Sequence, residues 1–147
     1  MKVKVEIDEK IAEPEIRISG NFADVVKIQE MLTGEFSRKL ELFAKGEVHF
    51  VPTEDVIFFE SVDGKTWAHT VREIYEAHEK LYELEEDLPR YFARISKSVI
   101  ANTREISSIA KNIAGPSVVR FRETEKRTTA SRSFYKILIE KMKAENF

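Results

Sequence analysis

From residue 39 onward the chain alternates apolar and polar positions with a period of two, the signature of strands that bury one face. Leu40, Leu42 and Ala44 alternate, Gly46 turns the chain, and Val48 and Phe50 resume the pattern before Pro52 separates it from the run Val56 to Phe59. Asp63-Gly64 is the strongest hairpin signal, because that pair suits the positive φ angles of a tight reverse turn; it joins VIFFES to TWAHTV. A further strand is expected over 73–77. The period then changes: Leu81, Leu84 and Leu88 fall at helical spacing within 78–88, and Pro89 ends that helix. Strands are predicted again at 92–95, 98–101, 106–110, 118–121 and 127–130, and a closing helix over 134–143. No internal repeat and no low-complexity linker interrupts the sequence.

The opening block reads differently. KVKVEID (2–8) and EIRIS (15–19) alternate around Pro14 and predict a hairpin; Val25, Val26, Ile28, Met31 and Leu32 predict a helix over 22–33, stopped by Gly34. About 40 residues are too few for a core, so this block should dock on the rest of the chain or on a second subunit. The expected organisation is therefore an N-terminal hairpin and helix extension, 1–38, before a mainly β (α+β) domain, 39–147.

Charge changes the picture more than composition does. The 147 residues carry a formal charge of only −2, with 42% hydrophobic and 34% charged residues. Residues 1–89, however, hold 11 Lys/Arg against 21 Asp/Glu, whereas residues 90–143 hold 13 against 4, so balances of −10 and +9 lie in consecutive stretches. A polyanion-binding face with an acidic back has this distribution, as does a basic segment packed beside an acidic one. No apolar run approaches the roughly 18 residues of a membrane span, no leader pattern opens the chain, and there is no cysteine, so a cytoplasmic location is expected.

Two stretches carry the cations. In YFARISKSVIANTREI (91–106), Arg94, Lys97 and Arg104 are spaced by Ser96, Ser98, Asn102 and Thr103. In the second, Arg120, Arg122, Lys126, Arg127, Arg132 and Lys136 are laced with Thr124, Thr128, Thr129, Ser131 and Ser133. Long cations give affinity by releasing counterions and short hydroxyl residues allow close approach to phosphates and base edges. A solvated strand face has the same composition, and the nucleic-acid reading requires the cations to gather on one exposed surface.

On these residues the chain resembles the LytTR DNA-binding family, in its stand-alone form without a receiver domain. DVIFFESVDGKTWAHT resembles the family's strand, hairpin and strand; HEKLYELEEDLPRYFARISKSVIANTREISSI is similar to its helix and hallmark stretch; TTASRSFYKIL is similar to its closing element. The resemblance implies an elongated stack of small antiparallel sheets with one or two helices, whose loops enter successive major grooves of bent double-stranded DNA. It places contacts in three loops: Gly64, Lys65 and Thr66; Ser96, Lys97 and Ser98; and Ser131, Arg132 and Ser133. At the third the chain departs from the family's two adjacent arginines, having Arg132 then Ser133, with Arg132 or Lys136 as substitutes. Arg94 and Asn102 are also hallmarks, Asn102 being read as structural, while Arg120, Arg122 and Lys136 complete the candidate DNA-binding set. Paired direct repeats in promoters, a homodimer built through 1–38 and a membrane-protein antagonist are further implications of the resemblance.

No other chemistry is expected. His49, His69 and His78 lack metal-ligand spacing, Glu83, Glu85, Glu86 and Asp87 read as a solvated helix face, and neither a nucleophile elbow nor a phosphate-binding glycine loop is present. The sequence thus predicts a regulator without enzymatic activity, cofactor, metal or small-molecule substrate. A protein-interaction module on the same fold, with 73–87 as an acidic front, is the alternative, and a shape-selective RNA binder a third.

Overall fold

The computed structural model of the chain describes residues 5–12, 16–33 and 38–144. The backbone divides into two compact units, residues 1–36 and 37–147.

In the first unit, α1 (Phe22–Thr33) has the predicted bounds. Asn21 caps it: its Oδ1 accepts the Asp24 N–H at 3.0 Å, and its Nδ2 donates to Asp24 Oδ2 at 2.6 Å. The predicted hairpin is not seen where it can be checked. Residues 5–8 and 16–19 are without strand structure, and the rest of both segments lies outside the described residues.

The described residues of the second unit hold ten strands in two antiparallel sheets. β1 (Lys39–Ala44), β2 (Glu47–Pro52), β3 (Phe58–Val62), β4 (Lys65–His69), β5 (Ile74–Ala77), β6 (Phe92–Ser96) and β7 (Val99–Asn102) form the larger sheet, in the order β2-β1-β5-β4-β3-β7-β6. A short helix, α2 (Leu81–Asp87), connects β5 to β6. β8 (Ile106–Ala110), β9 (Ser117–Phe121) and β10 (Arg127–Ala130) form the smaller sheet in the order β10-β9-β8, and α3 (Arg132–Ala144) closes the unit.

Strand periodicity sorts the larger sheet's side chains between two cores. On one face Leu42, Phe59, Ala68, Phe92 and Ile100 pack with Leu81 and Leu84 of α2. On the other, Ile57, Phe58, Ile95 and Val99 meet Val119 and Phe121 of the smaller sheet and Leu138 of α3. The middle of the sheet is therefore covered on both sides, which explains why 56–59 and 99–101 are unbroken apolar runs instead of alternating ones. Asp63 and Gly64 take φ of 50° and 77°, as their turn requires.

Two 3-10 turns use the same local device. Thr53 donates its hydroxyl to the Arg38 carbonyl at 2.6 Å, and Thr103 donates to the Tyr91 carbonyl at 2.7 Å. Asn102 couples the turns: its Nδ2 donates to the Val56 carbonyl at 3.0 Å and its Oδ1 accepts the Arg104 N–H at 3.1 Å. This is the structural role read from the sequence.

Helix starts differ from expectation for identifiable reasons. α2 begins at Leu81 rather than 78 because Glu83 Oε1 accepts the Lys80 N–H at 3.1 Å, fixing Lys80 as the cap, while His78 stacks on Phe43 with centroids 3.7 Å apart. α3 begins at Arg132 rather than 134 because the Ser131 carbonyl already accepts the N–H groups of Phe134 and Tyr135.

His69 lies buried between the sheets, stacked on Phe58 at 4.2 Å and bonded through Nε2 to Glu60 Oε1 at 2.7 Å. Burial holds its imidazole below the ordinary value, with the Glu60 hydrogen bond opposing. Below about pH 6.5 the unfolded chain therefore takes up a proton that the folded state resists, and stability falls with pH. The midpoint of urea unfolding should drop between pH 7.5 and 5.5, and His69→Gln should flatten that dependence; an unchanged slope in the variant would remove His69 as the cause. Asn102→Ala should cost about 1–3 kcal/mol in the same assay, since it leaves the buried Val56 carbonyl without its donor.

Candidate nucleic-acid interface

The β6–β7 turn is built around a bulge. Pairing shifts between Arg94 and Ser96, which sets Ile95 outside the regular ladder. Arg94 fills the inside of the turn: its Nε donates to the Ser96 carbonyl at 2.8 Å, its Nη2 donates to the Lys97 carbonyl, and its Nη1 meets Glu85 Oε2 of α2 at 2.8 Å. All three guanidinium nitrogens are engaged. Arg94, expected among the DNA contacts, instead braces the turn that presents Lys97. Ser98 N–H donates to Ser96 Oγ at 3.2 Å, and Lys97 and Ser98 are exposed.

The β3–β4 turn lies at the same end of the sheet. Glu60 pairs with Val99, and the Ser61 N–H donates to the Ser98 carbonyl at 2.8 Å, so the two turns are neighbours tied by backbone. Lys80 donates from Nζ to the Gly64 carbonyl at 2.9 Å, anchoring the turn from the start of α2. Lys65 is exposed, but Thr66 is not. It shares with Ala68 the strand face turned toward α2 and is only 3% exposed, so the expectation that Thr66 meets DNA is corrected.

The third segment joins through the bulge. The Ser131 N–H donates to the Ile95 carbonyl at 2.9 Å, which places the start of α3 beside the β6–β7 turn. Arg132, Ser133 and Lys136 are all exposed. They belong to the first turns of α3 and not to a loop, a second correction, and a helix start adds N–H groups and a positive dipole end that favour phosphate.

The remaining cations do not gather there. Lys126 Nζ donates to the carbonyls of Thr70 and Glu73, both at 2.9 Å, clipping the β9–β10 turn to the β4–β5 turn at the other end of the sheet; desolvation lowers its pKa. β10 therefore runs from that far end toward the Ile95 bulge. Arg120, Arg122 and Arg127 are exposed but belong to the far half of the smaller sheet, so the single cationic surface expected from the sequence divides into two groups. Arg104 lies over the Tyr91 ring at 4.2 Å, and Lys141 donates to the Phe92 carbonyl at 3.2 Å. Lys65, Lys97, Arg120, Arg122, Arg127, Arg132 and Lys136 have no ion-pair partner among the described residues.

Sequence reasoning missed Lys80 and Glu85, which support the turns from α2. Within the carboxylate run, which is exposed as read, three side chains also have specific partners: Glu83 accepts the Lys80 N–H, Glu85 holds Arg94, and Asp87 Oδ2 lies 4.0 Å from Arg38 Nη2. Helical spacing from the cap was the available signal for Glu83, whereas nothing local pointed Glu85 at β6.

Residues 46–143 match the LytTr DNA-binding domain family. The chain belongs to that family. Among its relatives, the sensory transduction protein LytT of Bacillus anthracis is 40% identical over 72 residues, 48% of this chain and 29% of that one. An HTH-type transcriptional regulator of Staphylococcus aureus (strain MRSA252) is 32% identical over 96 residues, 65% of each chain. The matches thus span about a third to two thirds of these relatives' lengths. The LytTr DNA-binding domain of a Bacillus cereus response regulator shares the fold, with a TM-score of 0.66 at 22% identity over 71% of this chain and 96% of that one. In this LytTR domain the described helices are separated by strands, so no helix-turn-helix pair is formed among them. No described helix is long and apolar enough to cross a membrane.

Arg94→Ala should destabilise the domain by about 2 kcal/mol, because it removes charged hydrogen bonds to two carbonyls and Glu85. Faster amide exchange at Lys97 and Ser98 would accompany it; protection equal to wild type would exclude the bracing role.

Proposed function

We propose that this chain is a sequence-specific regulator of transcription that reads promoter DNA through the β3–β4 turn, the β6–β7 turn and the start of α3, each directed at the major groove. One observation carries the reading. Three chain segments with exposed, unpaired cations converge on one end of the larger sheet, joined by the Ser61 to Ser98 and Ser131 to Ile95 hydrogen bonds. The family match and the regulatory names of the relatives support it.

In this reading Lys97 donates to guanine O6 or N7, Arg132 and Lys136 take the place of the family's second arginine, and Lys65, Ser96, Ser98 and Ser133 secure phosphates or base edges. Arg120 and Arg122 add electrostatic attraction from the smaller sheet. Two copies occupy paired direct repeats as a homodimer, with residues 1–38 as the contact between them. A cytoplasmic location and restraint by a membrane-protein antagonist complete the proposal. Neither a cofactor nor a small-molecule substrate enters it.

Titrating labelled promoter fragments across a salt series tests the reading: log affinity should fall steeply with log salt while discrimination against random sequence persists. Lys97→Ala should cost about 1–3 kcal/mol on the specific site and little on random DNA, whereas an equal loss on both would reduce Lys97 to a phosphate contact. A wild-type protein that binds no promoter fragment would turn the assignment toward the protein-interaction module.

A further inference from the structure

Arg120 and Arg127 are cross-strand partners in β9 and β10, and both are exposed. Residues directly opposite in an antiparallel ladder point to the same face with Cβ atoms about 5 Å apart, and like charges there repel. Arg120 also faces Ser108 across β8, and Thr129 shares the face two residues beyond Arg127. Ala110 and Val118 complete its paired positions, so the strands contribute no carboxylate to this face. Glu123 and Glu125 lie in the adjoining turn, yet no ion pair joins them to either arginine among the described residues. Two neighbouring exposed guanidinium groups, flanked by hydroxyls and without an ion-pair partner among the described residues, fit one tetrahedral oxyanion.

We propose that Arg120 and Arg127 form a phosphate clamp for the DNA backbone that flanks the recognised bases. The clamp rests on the DNA-binding reading of the domain. Lys126 ties the base of β10 to the β4–β5 turn, and Ser131 ties its other end to the Ile95 bulge, so the strand is a spacer of fixed length between clamp and recognition turns. Arg127 lies four positions before Ser131, about 13 Å along the strand. A backbone leaving the turns along β10 meets the clamp at that distance. The clamp holds phosphate alone and adds affinity without reading sequence, because it approaches no base edge.

The experiment compares wild type with R120Q/R127Q on a promoter fragment of full length and on one trimmed by six base pairs at either flank. With a single shared phosphate, the double variant loses about 0.9 from the slope of log affinity against log salt. Between 50 and 200 mM salt it therefore weakens about 3.5-fold less than wild type. Discrimination against random DNA stays unchanged, and trimming one flank weakens wild type but not the variant. R120Q and R127Q singly, at exposed positions without internal partners, give a smaller slope change of the same sign and guard against a folding defect. Wild-type slope and flank dependence in these variants overturn the clamp and leave the turn-based reading intact. Failure of wild type to bind any promoter fragment overturns both, and binding of an acidic protein lost with the arginines, without a DNA effect, overturns the clamp in favour of a protein site.

Discussion

Everything at the candidate interface depends on two backbone hydrogen bonds that lie outside the strand ladders, Ser61 to Ser98 at 2.8 Å and Ser131 to Ile95 at 2.9 Å. A surface made of turns and one helix start has no rigidity of its own, and ordering it upon binding would cost conformational entropy for every segment involved. These bonds order it in advance. The bulge at Ile95 is what makes the second one available: an extra residue in β6 turns a carbonyl out of the ladder, and Ser131 takes it up. Arg94 then fills the turn that the bulge creates, so the three nitrogens of one guanidinium satisfy two carbonyls and one carboxylate in a place where water would otherwise compete.

Much of the β framework was legible because its cause is local. Alternation, Pro52, Asp63-Gly64 and Pro89 act within a few residues of themselves, and the strands and both later helices appear where these signals put them, within two or three residues at the helix starts. The misses are long-range. Thr66 reads as a turn residue beside Gly64, and only the docking of α2 shows which strand face is buried. The placement of α3 beside the β6–β7 turn depends on Ser131 meeting Ile95, 36 positions away in the sequence. The opening hairpin rests on alternation around Pro14 alone, and its described residues are without strand structure.

The candidate site was legible in the kind of residue it uses and not in the duty each performs. Arg94, Lys97, Lys126 and Arg127 look alike in sequence: each is a cation beside short polar residues or within a strand. In the structure two of them face inward. A long cationic side chain on a small domain can brace a turn through several carbonyls or stand free for an anion, and the choice depends on which carbonyls remain unsatisfied nearby. Lys126 meets the carbonyls of Thr70 and Glu73, which are 56 and 53 positions earlier, so no window of sequence contains the reason.

This division qualifies the charge balance of +9 in residues 90–143. Arg94 is paired with Glu85, and Lys126 and Lys141 are held by carbonyls, so fewer cations stand free for an outside contact than the count suggests. Those cations occupy two groups, set at opposite ends of β10 by hydrogen bonds at each end of that strand. A fixed separation between groups carries information that total charge does not. A flexible basic tail binds any run of phosphates, whereas cations on a strand held at both ends match a polyanion only at the spacing the strand dictates. In the proposed DNA-binding reading, register on the duplex then rests on backbone contacts, and the turns at 64–65 and 96–98 serve discrimination.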